Sequence, residues 1–207
     1  LLTGIAGINV YIVRILKLPF DISLHFYFFF FVGVIITGIL KMFFYSSVGA
    51  GFLGTLGSSA LLYVSIHWII LGNTINIPLL YIQGLLLGFG ASMTLVSGSM
   101  ATLLDGDLKE AAQRSQTMHT IRNFSAAMLI PIIAYTIKNH IQKGTQSIYA
   151  ENITDKMIYL KKLQDVAIDA DHQIFLLMII FNMVMFVSSI IQMILGKGRR
   201  ITPPRES

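Results

Sequence analysis

Polar side chains open an apolar stretch long enough to cross a membrane, HTIRNFSAAMLIPIIAYTI at residues 119–137. Arg122 and Asn123 lie near its start, and Pro131 interrupts its middle. The Arg122 guanidinium could reach back to the lipid headgroups, or it could face a water-filled cavity and bind an anion or a carbonyl group. Pro131 removes one backbone hydrogen bond, which membrane helices tolerate where neighbouring helices or water satisfy the freed carbonyl. A simple membrane anchor needs none of these residues, so Arg122 and Asn123 are singled out as candidate functional residues and Pro131 as a candidate packing or hinge position.

Three more polar residues lie within other apolar stretches. Gln83 and Asn182 are predicted either to join helices by hydrogen bonds or to contact a substrate. His67 precedes Trp68, and an aromatic belt at the membrane interface explains this pair without a functional role. The candidate residues of a substrate pathway are Arg122, Asn123, Gln83, Asn182 and His67.

Glycines recur inside the apolar stretches. Gly84 and Gly88 form a G-x-x-x-G pair on one helix face, and such faces let membrane helices pack closely. Close packing explains most of these glycines. The alternative is that smooth contacts allow helices to slide or rock. Gly84 and Gly88 are therefore predicted as packing or hinge positions.

The composition indicates a membrane protein. Of the 207 residues, 55% are hydrophobic and 12% are charged, whereas soluble domains carry about a quarter charged residues. Such a chain cannot cover a globular surface with water-compatible groups, so the lipid bilayer is its expected solvent. The net charge of +5 fits basic cytoplasmic ends better than a nucleic-acid partner.

Motifs for catalysis are missing from the sequence. There is no Walker A, H-E-x-x-H or G-x-S-x-G motif, and there is no cysteine to ligate a metal. We expect no enzymatic activity, no cofactor and no metal site. An intramembrane enzyme acting on lipid would need polar groups that converge at one depth, and His67, His119 and His172 are predicted at different depths.

Six apolar stretches predict six transmembrane helices, and hence an all-α membrane protein, because roughly 20 apolar residues cross the hydrocarbon core. The predicted spans are 1–16, 23–40, 48–71, 78–104, 117–137 and 173–195. The connection at 139–171 carries apolar residues at helical spacing among Lys and Asp. This pattern predicts either an amphipathic helix on the membrane surface or a satellite helix packed on the protein.

Basic residues predict the orientation. The tail 197–207 follows the last span and holds Lys197, Arg199, Arg200 and Arg205, so it is predicted to be cytoplasmic. With six spans the start is cytoplasmic as well, and 139–171 is outside. The chain begins with Leu inside an apolar run, and we expect it to be a fragment or a processed piece.

Four stretches carry a family resemblance, in this order along the chain: NVYIVRILKLPFDIS, QGLLLGFGAS, SQTMHTIRNFSAAMLIPIIAYTI and ADHQIFLLMIIF. Together they resemble the C-terminal half of a major facilitator superfamily transporter, and look most like the drug:proton antiporter branch with fourteen spans. The strongest of the four is SQTMHTIRNFSAAMLIPIIAYTI, where Arg122 and Asn123 match the Arg-Asn pair of the family and His119 occupies a usual Asn position. The stretch QGLLLGFGAS has Gln83 where Arg is common.

The resemblance implies a six-helix bundle that pairs with a second, N-terminal bundle, which we expect to lie outside this sequence. It implies alternating access with a small-molecule substrate between the halves, proton-coupled export of amphipathic molecules, and a bacterial inner (plasma) membrane. Coupling carboxylates in this family usually belong to the N-terminal half, and no Asp or Glu lies deep in a predicted span. The alternative function is a non-transporting membrane scaffold or assembly subunit.

Overall fold

The computed structural model describes residues 19–71, 76–104, 110–150 and 156–195. These residues form five helices and no strand: α1 (Phe20–Val48), α2 (Ala50–Leu71), α3 (Ile77–Leu104), α4 (Ala111–Ala150) and α5 (Lys156–Leu195). All five are long and apolar enough to cross a membrane, so the described chain has the features of an all-α integral membrane protein. The predicted first span at 1–16 and the basic tail at 197–207 lie outside the described residues, and a sixth helix stays a prediction.

The outer surface of the bundle is strongly apolar. Every helix exposes large hydrophobic side chains, for example Phe31, Ile70, Ile82, Phe124 and Ile180. In water, an apolar surface of this extent would drive association or aggregation. In lipid it needs no polar cover, so the surface agrees with a bilayer as the solvent.

Helix α1 ends at a glycine. Gly49 has φ 82°, a left-handed conformation that other residues adopt poorly, and its N–H donates to the carbonyl of Tyr45 at 3.0 Å. Helix α2 begins at the next residue. Residues 41–48 contain neither glycine nor proline, so α1 continues beyond the predicted end of its span at residue 40.

Helices α4 and α5 have 40 residues each and are therefore about 60 Å long, twice the hydrocarbon thickness of about 30 Å. Both continue into the connection predicted at 139–171: residues 139–150 and 156–171 are helical, but they extend α4 and α5 and do not form a separate helix. The two extensions pack on each other. A Cβ at Gly144 would lie 2.5 Å from Val166 Cγ1. The apolar spacing in this region belongs to a helical hairpin.

Four helices share most of the interior. Helix α3 packs on both α1 and α2, and α2 also packs along α5. Their buried side chains include Phe26, Val64, Trp68, Leu87 and Phe175. Helix α4 contacts α5 and, over a shorter length, α3. Only 6% of the most apolar segment of α4 is buried, against 44% for α2 and for α3. Of the five described helices, α4 is therefore the least buried.

Glycines bring α1 and α3 into backbone contact. A Cβ at Gly84 would lie 2.8 Å from the carbonyl oxygen of Phe26, and a Cβ at Gly88 would collide with the carbonyl of Phe30. Both distances are too short for any other residue without a shift of the backbone. Gly84 and Gly88 therefore lie in a tight contact between two helices.

Candidate functional site

Helices α3 and α4 leave a cleft of about 810 Å³ between them. The cleft lies between the last turns of α3 and the first turns of α4. Its lining residues are Thr94, Leu95, Gly98, Ser99, Thr102, Glu110, Gln113, Arg114, Thr117, Met118, Ile121 and Arg122. Of the residues predicted for a substrate pathway, only Arg122 is in this group.

The cleft contains hydroxyl groups that already serve as donors. Thr94, Ser99, Thr102 and Thr117 each donate to a backbone carbonyl four residues earlier in their own helix, at 2.8–2.9 Å. Their oxygen lone pairs remain available to accept hydrogen bonds from a ligand. The charged N–H donors of the cleft come from two arginines.

The two arginines differ in their partners. Arg114 lies 3.7 Å from Glu110, one turn earlier in α4. Arg122 follows two turns later, about 12 Å further along the helix axis. Among the described residues no carboxylate pairs with Arg122, and its Nη2 donates to Nδ1 of His119 at 3.1 Å, which requires an unprotonated Nδ1. The cleft therefore has a paired arginine near the start of α4, which we call its mouth. Two turns further along α4, at what we call its inner end, it has a guanidinium that no carboxylate of the described residues neutralises.

Arg122 is exposed and lines the cleft. It shares a helix face with Met118, Leu129 and Ile133, which lie four, seven and eleven residues away. Met118 and Leu129 are half-buried, and Ile133 is buried. The face that carries Arg122 is thus the face that α4 turns towards the bundle on either side of the cleft.

Asn123 and Pro131 lie elsewhere on α4. Together with Ala127 and Ala134 they form a stripe at spacings of three and four residues, and all four are exposed. None of them lines the cleft. Successive helix residues point about 100° apart, so the structure separates Arg122 from Asn123 although the two are adjacent in sequence. We call residues 123, 127, 131 and 134 the α4 stripe.

His67 and Gln83 meet in a contact between α2 and α3. Trp68 Nε1 donates to Gln83 Oε1 at 2.7 Å, and Gln83 Nε2 lies 2.8 Å from His67 Nδ1. An indole can only donate, so it fixes the orientation of the Gln83 amide and turns the NH₂ group towards His67. His67 Nδ1 therefore accepts. This network lies near the end of α2 and the start of α3, at the opposite end of the bundle from the cleft.

Asn182 joins α5 to α2. Its Nδ2 donates to Ser65 Oγ at 3.1 Å, and Ser65 donates in turn to the carbonyl of Leu61 at 2.8 Å. Asn182 and Ser65 are both buried. Of the two alternatives for Gln83 and Asn182, the described contacts of both are interhelical hydrogen bonds.

Three further residues were not predicted from the sequence. Lys41 Nζ donates to the carbonyl oxygen of Ser92 at 2.5 Å and joins α1 to α3. A lysine within an apolar helix is the sequence feature that could have indicated such a contact. Arg114 precedes Arg122 by eight residues, about two helical turns, and both line the cleft. No feature of the sequence marks Gly98. Only the packing of the helices shows that a Cβ at this position would meet nothing within 4 Å.

Comparisons with known proteins do not assign the chain to a family. No protein-family model, no curated protein and no solved structure matches it. Its function has to be argued from the described residues and from the motifs of the sequence.

Proposed function

We propose that this chain is the C-terminal six-helix half of a secondary active transporter of the major facilitator type, which exports small amphipathic molecules in exchange for protons. The second half would come from the remainder of the same transporter, and the substrate would bind between the halves near the membrane midplane. The sequence motifs around Arg122 and Asn123 support the choice of family. The exposure of α4 supports the need for a second bundle.

The α4 stripe is the observation that carries the proposal. Asn123, at the start of the stripe, carries an amide that could hydrogen-bond to a neighbouring helix, as Asn side chains do in membrane bundles. Ala127, Pro131 and Ala134 keep the rest of the stripe smooth, and small side chains let another helix approach closely. The stripe therefore fits a protein neighbour, and its smoothness fits a neighbour that changes position.

Helices α1, α2, α3 and α5 have the contacts of a unit that moves as a whole. Hydrogen bonds of Gln83, Asn182 and Lys41 join α2 to α3, α5 to α2 and α1 to α3. In alternating access, one bundle rocks against the other with little internal change, so these bonds could persist through the cycle. Gln83, Asn182 and His67 would then hold the bundle together, and Asn123 would remain as the pathway residue on the moving face.

Proton coupling would depend on the other half. Residues 22–104, 111–150 and 172–195 contain no Asp or Glu. A carboxylate that binds and releases the transported proton within the membrane would therefore be supplied by the second bundle, as the resemblance implies.

The proposal puts the cleft on the cytoplasmic side of a bacterial plasma membrane. Short connections make successive helices antiparallel, so the end of α3, the start of α4 and the end of α5 share one side. The basic tail at 197–207 follows α5 directly, and basic residues next to a span favour the cytoplasmic side.

Thiol accessibility tests the proposal, because this chain contains no cysteine. Ala127→Cys would be introduced into the complete transporter, freed of any other cysteine and embedded in membrane vesicles. Its reaction with a charged, membrane-impermeant thiol reagent should change severalfold when a transported substrate is added. Ile180→Cys, at an exposed apolar position on α5, is the matched control and should stay unreactive.

The same vesicles separate transport from a static role. Substrate flux together with substrate-dependent labelling at residue 127 supports the transporter. Constant labelling in the absence of any flux overturns it and favours the non-transporting scaffold.

A further inference from the structure

We propose that the α3–α4 cleft binds the headgroup of an anionic phospholipid from the leaflet on its side of the membrane. The lipid phosphate would contact Arg122, and the first part of an acyl chain would lie against Leu95 and Ile121. The proposal goes beyond transport, because a lipid site of this kind could exist on a transporter half or on a scaffold.

The position of Arg122 along the membrane normal fits a headgroup. The apolar run of α4 covers residues 121–137, about 25 Å of helix, which is close to the hydrocarbon thickness of about 30 Å. Arg122 lies at one end of this run. Across the cleft, Leu95 lies about 27 Å along the helix axis from Ile77, the first residue of α3, and two serines, Ser97 and Ser99, follow it. Both helices therefore put the inner end of the cleft at the boundary between hydrocarbon and headgroups.

The charges favour an anion at this inner end. Glu110 is the carboxylate among the described lining residues, and it already lies 3.7 Å from Arg114. About 18 Å of helix separates Glu110 from Arg122, so Glu110 cannot neutralise Arg122 by direct contact. His119 accepts from Arg122 through Nδ1 and adds no negative charge. A phosphate offers the oxygens that a guanidinium binds through two parallel N–H groups.

The remaining walls match the rest of a phospholipid. Leu95 and Ile121 are 40% and 60% exposed and form apolar surface beside Arg122. Towards the mouth, Ser99, Thr102 and Thr117 present oxygen acceptors, because their own protons bond to backbone carbonyls. A phosphatidylglycerol carries acyl chain, phosphate and hydroxyl donors in the same order. A free inorganic anion would use the guanidinium and leave the apolar wall uncovered.

Gly98 provides a way to close the cleft without disturbing the bundle. It lines the cleft, and a Cβ there would meet nothing within 4 Å. Gly38 on α1 has equally open surroundings and lies outside the cleft. Leucine at either position adds similar volume and improves helix propensity, so Gly38→Leu is the matched control for Gly98→Leu.

The experiment uses the complete protein in phosphatidylcholine nanodiscs that contain a phosphatidylglycerol with a photoactivatable diazirine in its acyl chain. Mass spectrometry maps the crosslinks to residues 94–102 and 113–122. Cleft labelling should exceed that by a phosphatidylcholine with the same diazirine severalfold. Arg122→Gln should lower it about tenfold or more, the effect of losing one charge-assisted contact. Gly98→Leu should lower it severalfold, because its side chain would occupy the cleft. Arg122→Lys should lower it less, and Gly38→Leu should match the unmodified protein.

Competition with inorganic phosphate distinguishes a lipid headgroup from a free anion as the source of the phosphate bound by Arg122. An excess of phosphate should leave lipid labelling of the cleft unchanged. Labelling that falls in step with added phosphate would indicate a soluble-anion site and overturn the lipid assignment. Equal labelling by the two lipids, or full labelling in Gly98→Leu, would also overturn it. If Arg122→Gln does not fold, Gly98→Leu decides the question, because its new side chain meets no packed atom at Cβ.

Discussion

Trp68 of α2 donates its indole N–H to the side-chain oxygen of Gln83 in α3 at 2.7 Å. The two residues are only 4% and 1% exposed. An indole has no other hydrogen-bonding group, so an apolar residue at position 83 would leave a buried donor unsatisfied. The sequence left Gln83 between a structural and a substrate-binding role, and this contact favours the structural one.

Gln83→Leu should lower the free energy of unfolding by about 1–3 kcal/mol, the cost of an unsatisfied buried polar group. Chemical unfolding in detergent micelles, followed by the helical circular dichroism signal, measures the change. Trp68 is the single tryptophan of this chain, so its emission maximum should shift in the same variant. Gln142→Leu makes the same replacement at an exposed position and should have little effect. Equal losses at both positions would contradict a structural role for Gln83.

Gly88→Ala should destabilise the contact between α1 and α3. The added methyl group collides with the carbonyl of Phe30, and overpacking of this kind costs about 1–3 kcal/mol. Gly38→Ala adds the same methyl group in open space and should be neutral or more stable by up to about 1 kcal/mol, because alanine is the better helix former. The same unfolding measurement compares the two. A Gly88→Ala protein as stable as Gly38→Ala would disprove the close contact.

The sequence predicts elements better than it predicts partners. Apolar length locates α2 and α3, whose predicted spans 48–71 and 78–104 end within two residues of the observed helices. It misses the extensions of α4 and α5, because the Lys and Asp residues at 139–171 resemble those of a surface connection. Only packing shows that residues such as Gly144 and Val166 meet in a hairpin.

The candidate site shows the same limit. Arg122 is recognisable as unusual from its place in an apolar run, but its cleft depends on how α3 and α4 pack. Arg122 and Asn123 are adjacent in sequence and were predicted together as pathway residues, but helix geometry puts them on different faces of α4. The pairing of His67 with Gln83 also needs two helices in register, which one sequence does not specify.

Asn182 and Ser65 should show a measurable coupling. In a double-mutant cycle with Asn182→Ala and Ser65→Ala, we expect an interaction energy of about 0.6 kcal/mol, typical of interhelical hydrogen bonds in membrane bundles. Unfolding free energies of the two single variants and the double variant give this value. Strictly additive losses would indicate that the 3.1 Å contact contributes nothing to stability, and Asn182 would return as a candidate for substrate contact.

Pro131→Ala should separate stability from transport. Proline cannot donate to the carbonyl of Ala127, four residues earlier, and alanine restores that hydrogen bond. Because Pro131 is exposed and contributes little packing, the variant should unfold at the same or a higher denaturant concentration. If Pro131 acts as a hinge in alternating access, substrate flux in vesicles should fall severalfold although the protein is not destabilised. Ile132→Ala, at the next exposed position, changes no backbone hydrogen bond and should keep its flux. Full flux in Pro131→Ala would leave the proline as a tolerated irregularity of α4 and remove the hinge from the proposed mechanism.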